Sequence, residues 1–166
     1  LQQADECFKL NLRYNDIEIG LKALEQVGST FPEHAFNRIR QCDGIVLGPV
    51  SHFDYPTREN GGINPSGELR VRLDLYANLR PAFTRPQIRS FGDHQFDILI
   101  VRENTEGFYA DRNMYMGSGE YMPTPDLALA TRKVSRENCM RISRVAFEEA
   151  MKRRREVTAV HKANVL

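Results

Sequence analysis

The run Ile98-Leu99-Ile100-Val101 contains no polar residue and stops at Arg102-Glu103-Asn104. An apolar run without alternation suits a strand covered on both faces, the pattern of a parallel sheet between helices. Open α/β sheets bind ligands past the carboxyl ends of such strands. Residues 96–109 therefore read as a buried strand running into an active-site rim of Arg102 and Asn104, with Tyr109 in the same turn. Residues 44–48 and 157–160 repeat the apolar pattern and are candidate parallel strands; the latter ends in His161, Lys162 and Asn164. Residues 9–17 can form a further strand.

Helical patterns separate these runs. Residues 21–24 support a short helix closed near Gly28. Pro32 followed by Glu33 is a helix-start signal, and Ala35, Phe36 and Ile39 then make one apolar face. A short helix is expected over residues 67–74. Ser135 can cap a helix running to about residue 153, with Ile142, Ala146 and Ala150 on one stripe. Residues 49–67 form a long loop rich in Pro, Gly and Asn, of the kind that is functional or disordered. Residues 110–134 look irregular, with short strands possible. Strands alternating with helices favour an α/β fold with crossover helices.

At 166 residues the chain is one large domain or parts of two. A net charge of +1 gives no reason to expect a nucleic-acid or membrane partner. The basic run Lys152-Arg153-Arg154-Arg155 reads as the last turn of a helix, where cations suit the dipole. Cys7, Cys42 and Cys139 are odd in number and lack metal spacing, so they read as reduced, buried thiols of a cytoplasmic protein. No apolar stretch reaches the roughly 18 residues of a membrane span. The chain opens without a methionine, in what resembles the middle of an amphipathic helix. It is expected to be a segment of something longer.

Two strand ends thus carry reactive groups. Burial and cationic neighbours can make a lysine and a tyrosine a base and an acid. Taken singly, a lysine after a strand is more often a solvated loop residue, and a tyrosine in a turn more often packs than reacts. Arg70, Arg72, Arg80 and Arg102 add planar forks that bind carboxylates bidentately. Together these groups read either as a di- or tricarboxylate site or as surface arginines paired with Glu68 and Asp74.

The segments carry a resemblance. Leu69-Arg70-Val71-Arg72-Leu73-Asp74-Leu75-Tyr76-Ala77-Asn78-Leu79-Arg80-Pro81 resembles the substrate-arginine motif of the isocitrate/isopropylmalate dehydrogenase family. Val101-Arg102-Glu103-Asn104-Thr105-Glu106-Gly107-Phe108-Tyr109 resembles that family's catalytic-tyrosine segment, and His161-Lys162-Ala163-Asn164-Val165-Leu166 its catalytic-lysine segment. Residues 43–50 look like the strand and loop leading to its cofactor site. Order and spacing match over essentially the whole chain.

The resemblance implies an oxidoreductase that uses NAD or NADP, with a divalent Mg or Mn ion, to decarboxylate a 3-carboxy-2-hydroxy acid oxidatively. It implies that Arg70, Arg80 and Arg102 hold the substrate carboxylates, that Lys162 is the base, that Tyr109 protonates the enolate carbon, and that Asn164 sits near substrate or cofactor. Lys162 would serve the partner's site in a homodimer with shared active sites. The fold implied is a two-domain α/β isopropylmalate dehydrogenase-like fold around a continuous mixed sheet, incomplete in this segment. Residues 1–81 would belong to the larger, cofactor-side domain and residues 82–166 to the smaller dimerisation domain, with an arm at 110–134. The family's metal-binding aspartates follow the lysine segment, so no metal ligand is expected here, and the segment alone is expected to be inactive. Ser66, four residues before Arg70, would face the substrate's variable γ group. An unsatisfied hydroxyl against a purely apolar group costs about 1–3 kcal/mol, so Ser66 favours a small or polar substituent. Two alternatives stay open: isopropylmalate dehydrogenase proper, and a non-catalytic regulatory subunit of the same fold.

Overall fold

The computed structural model describes residues 1–88, 92 and 94–161. The chain divides into two compact units, Leu1–Leu69 and Arg70–Leu166.

The first unit is helical. Helices α1 (Gln2–Phe8), α2 (Leu21–Val27) and α3 (Glu33–Ile39) are each two turns long. Gly28 closes α2 in the left-handed conformation, and Pro32 stands at the N-cap of α3. Ala23, Phe31, Ala35, Phe36, Ile39 and Leu69 form its buried apolar core, and Phe31 meets Phe36 edge-on at 6.3 Å. The fully buried Thr30 ties this core to the loop before α4 (Pro65–Arg72). Its Oγ1 lies 2.7 Å from both the Ile63 carbonyl and the Ile63 amide. Gly61 sits at φ 85°, with the space for a Cβ taken by the Gly28 carbonyl 2.0 Å away, so only glycine fits. The long loop is thus built by close backbone approach.

Residues 9–17 and 44–48, expected as strands, belong to no strand. Asn15–Ile17 and residues 44–47 instead line one apolar cleft of about 210 Å3 together with Ile39 and Leu69. They border one cleft, but no main-chain ladder forms between them. A strand needs a hydrogen-bonded neighbour as well as an apolar face, and among the described residues these runs have none.

The second unit is an antiparallel ribbon backed by a helix. Strands β1 (Ala77–Phe83) and β2 (Asp97–Glu103) pair in the register Asn78 with Arg102 and Arg80 with Ile100. Strands β3 (Glu120–Thr124) and β4 (Leu127–Ala130) form a second, exposed antiparallel hairpin. Helix α5 (Arg136–Met151) packs on β2. Its covered positions, 138, 141, 142, 145, 146, 149 and 150, repeat at helical spacing and include the expected Ile142, Ala146 and Ala150 stripe.

The expected parallel strand at the opening run is therefore corrected. β2 pairs antiparallel with β1, and only one of its faces is covered. Leu99, Val101 and Glu103 are half-buried towards α5, whereas Ile98 and Ile100 are 45% and 49% exposed. Such a ribbon with one helix has only one covered face, so a continuous apolar run leaves its other half bare. Residues 157–160 join no strand either. All three cysteines are free, but Cys7 and Cys139 are exposed and Cys42 half-buried, not the buried set expected. Cys139 falls on the outward side of α5, which explains its exposure. No helix among the described residues is long and apolar enough to cross a membrane.

The basic run, expected in the last turn of the helix, follows it instead: α5 ends at Met151 with Lys152 as its C-cap, and the charges of the run have specific partners. Lys152 pairs with Glu149, Arg153 pairs with Asp97 at 2.6 Å, and Arg154 donates to the Asp97 carbonyl. Asp97 shares the covered face of β2 with Leu99, so these contacts fasten the far end of α5 to the start of the strand.

Candidate active site

Antiparallel pairing puts directly opposed side chains on one face, with Cβ atoms about 5 Å apart. Asn78 stands opposite Arg102, and Arg80 lies two residues from Asn78. These three therefore share the face of the ribbon turned away from α5. Arg80 Nε donates to Asn78 Oδ1 at 3.0 Å. Arg102 Nη2 donates to the Tyr109 hydroxyl oxygen at 2.6 Å. A guanidinium has no acceptor, so this bond does not take up the phenol's own proton, which stays available to another acceptor. Arg102 keeps further N–H groups for a carboxylate.

Tyr109 is held by the turn that follows β2. Gly107 and Lys133 exchange two main-chain hydrogen bonds, at 3.0 and 2.9 Å. The Asn113 amide donates to the Gly107 and Thr131 carbonyls. The Glu103 carboxylate accepts from the Thr105 and Glu106 amides and from the Thr105 hydroxyl. Beyond Tyr109, Ala110–Arg112 make one 3-10 turn. Residues three apart eclipse one another in that geometry. The turn accordingly lays the Arg112 guanidinium over the Tyr109 ring, 4.8 Å from its centre. Asp111 grips the same guanidinium at Nε and Nη2, at 3.1 and 2.8 Å.

A polar network fixes the other side of the turn to the start of α5. Ser135 caps the helix by accepting from the Asn138 amide. Asn138 donates to Thr105, and Arg141 donates to Thr105, pairs with Asp74 at 2.6 Å and stacks on Tyr76. The Glu106 side chain is only 7% exposed; it accepts from the Ser135 amide at 2.8 Å and pairs with Lys133. Burial acts to raise the Glu106 carboxyl, but the Ser135 hydrogen bonds and the Lys133 ammonium outweigh it and hold it below the ordinary carboxylate value. A cleft of about 380 Å3 opens here, between Arg112, Lys133, Glu106 and Arg141. Within it Glu106 pairs with Lys133 and Asp74 with Arg141. Asn78, Arg80 and Arg102 lie on the opposite face of the ribbon and do not line it.

The expected site residues thus fall into three groups. Arg80, Arg102 and Tyr109 are brought together. Arg70 and Ser66 lie one turn apart on α4, both half-buried. Lys162 and Asn164 lie outside the described residues. Asn104, read from sequence as part of the rim, is buried and serves the backbone instead, donating to the Leu75 carbonyl at 3.2 Å. Glu68 and Asp74, the acids offered as partners of the arginines, pair with Arg58 and Arg141. Asn78 and Arg112 are the residues that sequence reasoning missed. Asn78 could be found only from the strand register, and Arg112 only from the three-residue turn. Guanidinium, amide and phenol do not suit a metal ion, and no group of three His, Cys, Asp or Glu among the described residues could hold one.

The family model described as isocitrate/isopropylmalate dehydrogenase matches residues 1–166. The 3-isopropylmalate dehydrogenase of Sulfurisphaera tokodaii is 34% identical over all of this chain, which spans 44% of that protein. The isocitrate/homoisocitrate dehydrogenase of Thermus thermophilus is 36% identical over 97% of this chain and 45% of its own length. The crystal structure of isocitrate dehydrogenase from Methylococcus capsulatus superposes with a TM-score of 0.71 at 30% identity, covering 99% of this chain and 46% of that one. The chain therefore spans less than half the length of these relatives.

Proposed function

This chain belongs to the isocitrate/isopropylmalate dehydrogenase family, and on that premise we propose that it carries the carboxylate-binding and acid part of an oxidative decarboxylase's active site. The substrate is a malate-type 3-carboxy-2-hydroxy acid. The family consists of metal-dependent, NAD(P)-using decarboxylating dehydrogenases, so the whole protein uses NAD or NADP and Mg or Mn. We propose no metal ligand among these residues.

The observation that carries the reading is the 2.6 Å bond from Arg102 to the Tyr109 hydroxyl, beside Arg80 on one face of the ribbon. Arg80 and Arg102, with Arg70 from α4, hold the substrate's carboxylates. Loss of CO2 leaves an enolate. Its C=C pair takes the Tyr109 proton to form the new C–H bond, while the oxygen pair closes the ketone. The phenolate left behind regains its proton from solvent. Lys162 is the base of the oxidation step and Asn164 a neighbour of substrate or cofactor.

The γ group decides which hydroxy acid is used. Relatives named for isopropylmalate and for isocitrate/homoisocitrate match at 34% and 36% identity, too close to choose between substrates. Ser66 favours a small or polar γ group, because it stands one turn before Arg70 on the same side of α4. The whole enzyme is a homodimer with shared sites, residues 1–81 lying in the larger domain and 82–166 in the smaller. The exposed hairpin of β3 and β4 is its arm, and the segment alone is inactive. Free thiols suit a cytoplasmic setting.

The test is kcat/KM of the full-length protein on isopropylmalate, isocitrate, homoisocitrate, D-malate and tartrate, with Mg or Mn and either dinucleotide. Turnover is expected, with isopropylmalate not preferred; a clear preference for it would overturn the Ser66 argument. Tyr109→Phe should lower kcat by about a hundredfold or more while leaving KM little changed. Binding of these acids without turnover of any would favour a regulatory subunit instead.

A further inference from the structure

We infer that Arg112 is a positioning residue for the Tyr109 acid, acting through the ring face rather than through the substrate. The inference rests on the reading of Tyr109 given above. Three observations carry it. The guanidinium lies 4.8 Å from the centre of the Tyr109 ring. Its side chain is only 17% exposed, and Asp111 holds it by two N–H groups, so it is fixed rather than free to swing. The 3-10 turn from Tyr109 to Arg112 is closed by the Arg112 amide donating to the Tyr109 carbonyl at 3.1 Å, which sets the two side chains face to face.

The phenol therefore has two cationic supports that do different things. Arg102 fixes the oxygen along its hydrogen bond, which still allows the ring to pivot about that contact. Arg112 covers a face of the ring and removes the pivot. A proton donor must meet the enolate carbon along one direction, and a misplacement of about 1 Å can cost a hundredfold in rate. Arg112 does not touch the candidate carboxylate face formed by Asn78, Arg80 and Arg102. Its removal should consequently weaken proton delivery and leave substrate binding in place.

The experiment uses the full-length protein with the five hydroxy acids above and, in D2O, the 2-oxo acid that each yields. Protonation run backwards exchanges the C3 hydrogen of the 2-oxo acid with solvent, so deuterium uptake followed by NMR isolates this step from hydride transfer. Arg112→Ala should lower both exchange and kcat by about tenfold with KM little changed. Arg112→Lys, which keeps a cation able to reach the ring, should recover most of the loss. Asp111→Asn, which loosens the grip on Arg112, should fall between wild type and Arg112→Ala. Melting curves of each variant identify simple misfolding: a loss that tracks melting temperature across the three variants would overturn the inference. So would wild-type exchange in Arg112→Ala when Tyr109→Phe has lost it. Unimpaired exchange and turnover in Tyr109→Phe would sink the reading of Tyr109 itself, as would a wild-type protein that neither turns over nor exchanges any probe.

Discussion

The Thr30 hydroxyl donates to the Ile63 carbonyl and accepts from the Ile63 amide, so one buried side chain satisfies both polar groups of a residue thirty-three positions away. Thr30→Val preserves shape but strands both groups, and should cost about 1–3 kcal/mol in urea unfolding, while Thr30→Ser should retain most of the stability. Nothing local in the sequence marks Thr30, because its partner is set by tertiary contact. The start of α4 is the opposite case. Asn64 accepts from the Ser66 and Gly67 amides and Pro65 takes the first helical position. Asn followed by Pro is a local start signal, yet this helix, expected from residue 67, begins at Pro65. Tyr109 and Arg102 were legible as a pair of candidates seven residues apart. Their contact was not, because it depends on how Gly107 at φ 112° turns the chain back.

At the scale of elements, α5 was the most legible because its signals are local: a serine cap and a helical apolar stripe. The helix and β2 also match in length. Sixteen residues at 1.5 Å make about 24 Å, and seven strand residues make about 23 Å, so polar contacts can fasten both ends. Strands were less legible. Residues 44–48 and 157–160 were expected as strands and form none, because ladder formation depends on a partner that no local pattern names. The fastening at the start of α5 yields a pH prediction. Glu106 titrates below its ordinary value when folded. In the window below the unfolded value of about 4.3, the unfolded chain binds more protons, so the stability Glu106 contributes is complete above that window and lost as pH falls through the folded value. Thermal melts from pH 7 downward should show this fall, and Glu106→Gln should flatten it.

Across the whole molecule, apolar surface is unevenly finished. The first unit has a small closed core, whereas Ala150 is the one buried apolar residue among those described in the second. Tyr121, Met122, Leu127 and Leu129 of the hairpin and Met140, Phe147 and Met151 of α5 are all exposed. An isolated two-stranded hairpin is marginal in water, and exposed apolar patches of this kind mark interaction surfaces. In the full-length protein, Leu129→Glu with Tyr121→Lys should shift a dimer towards monomer in sedimentation and lower activity with it. A stable, fully active monomer would remove the arm from its proposed role.

The pairing of Asn78 with Arg102 has a consequence for how such a chain can change. Side chains alternate along a strand, so sliding β2 by one position would send Arg80 and Arg102 to opposite sides. The segment between the two strands is consequently free in length but constrained in parity. Residues inserted there that loop outwards leave the arginines together, whereas a single residue drawn into the ladder divides them without altering a single side chain of the site.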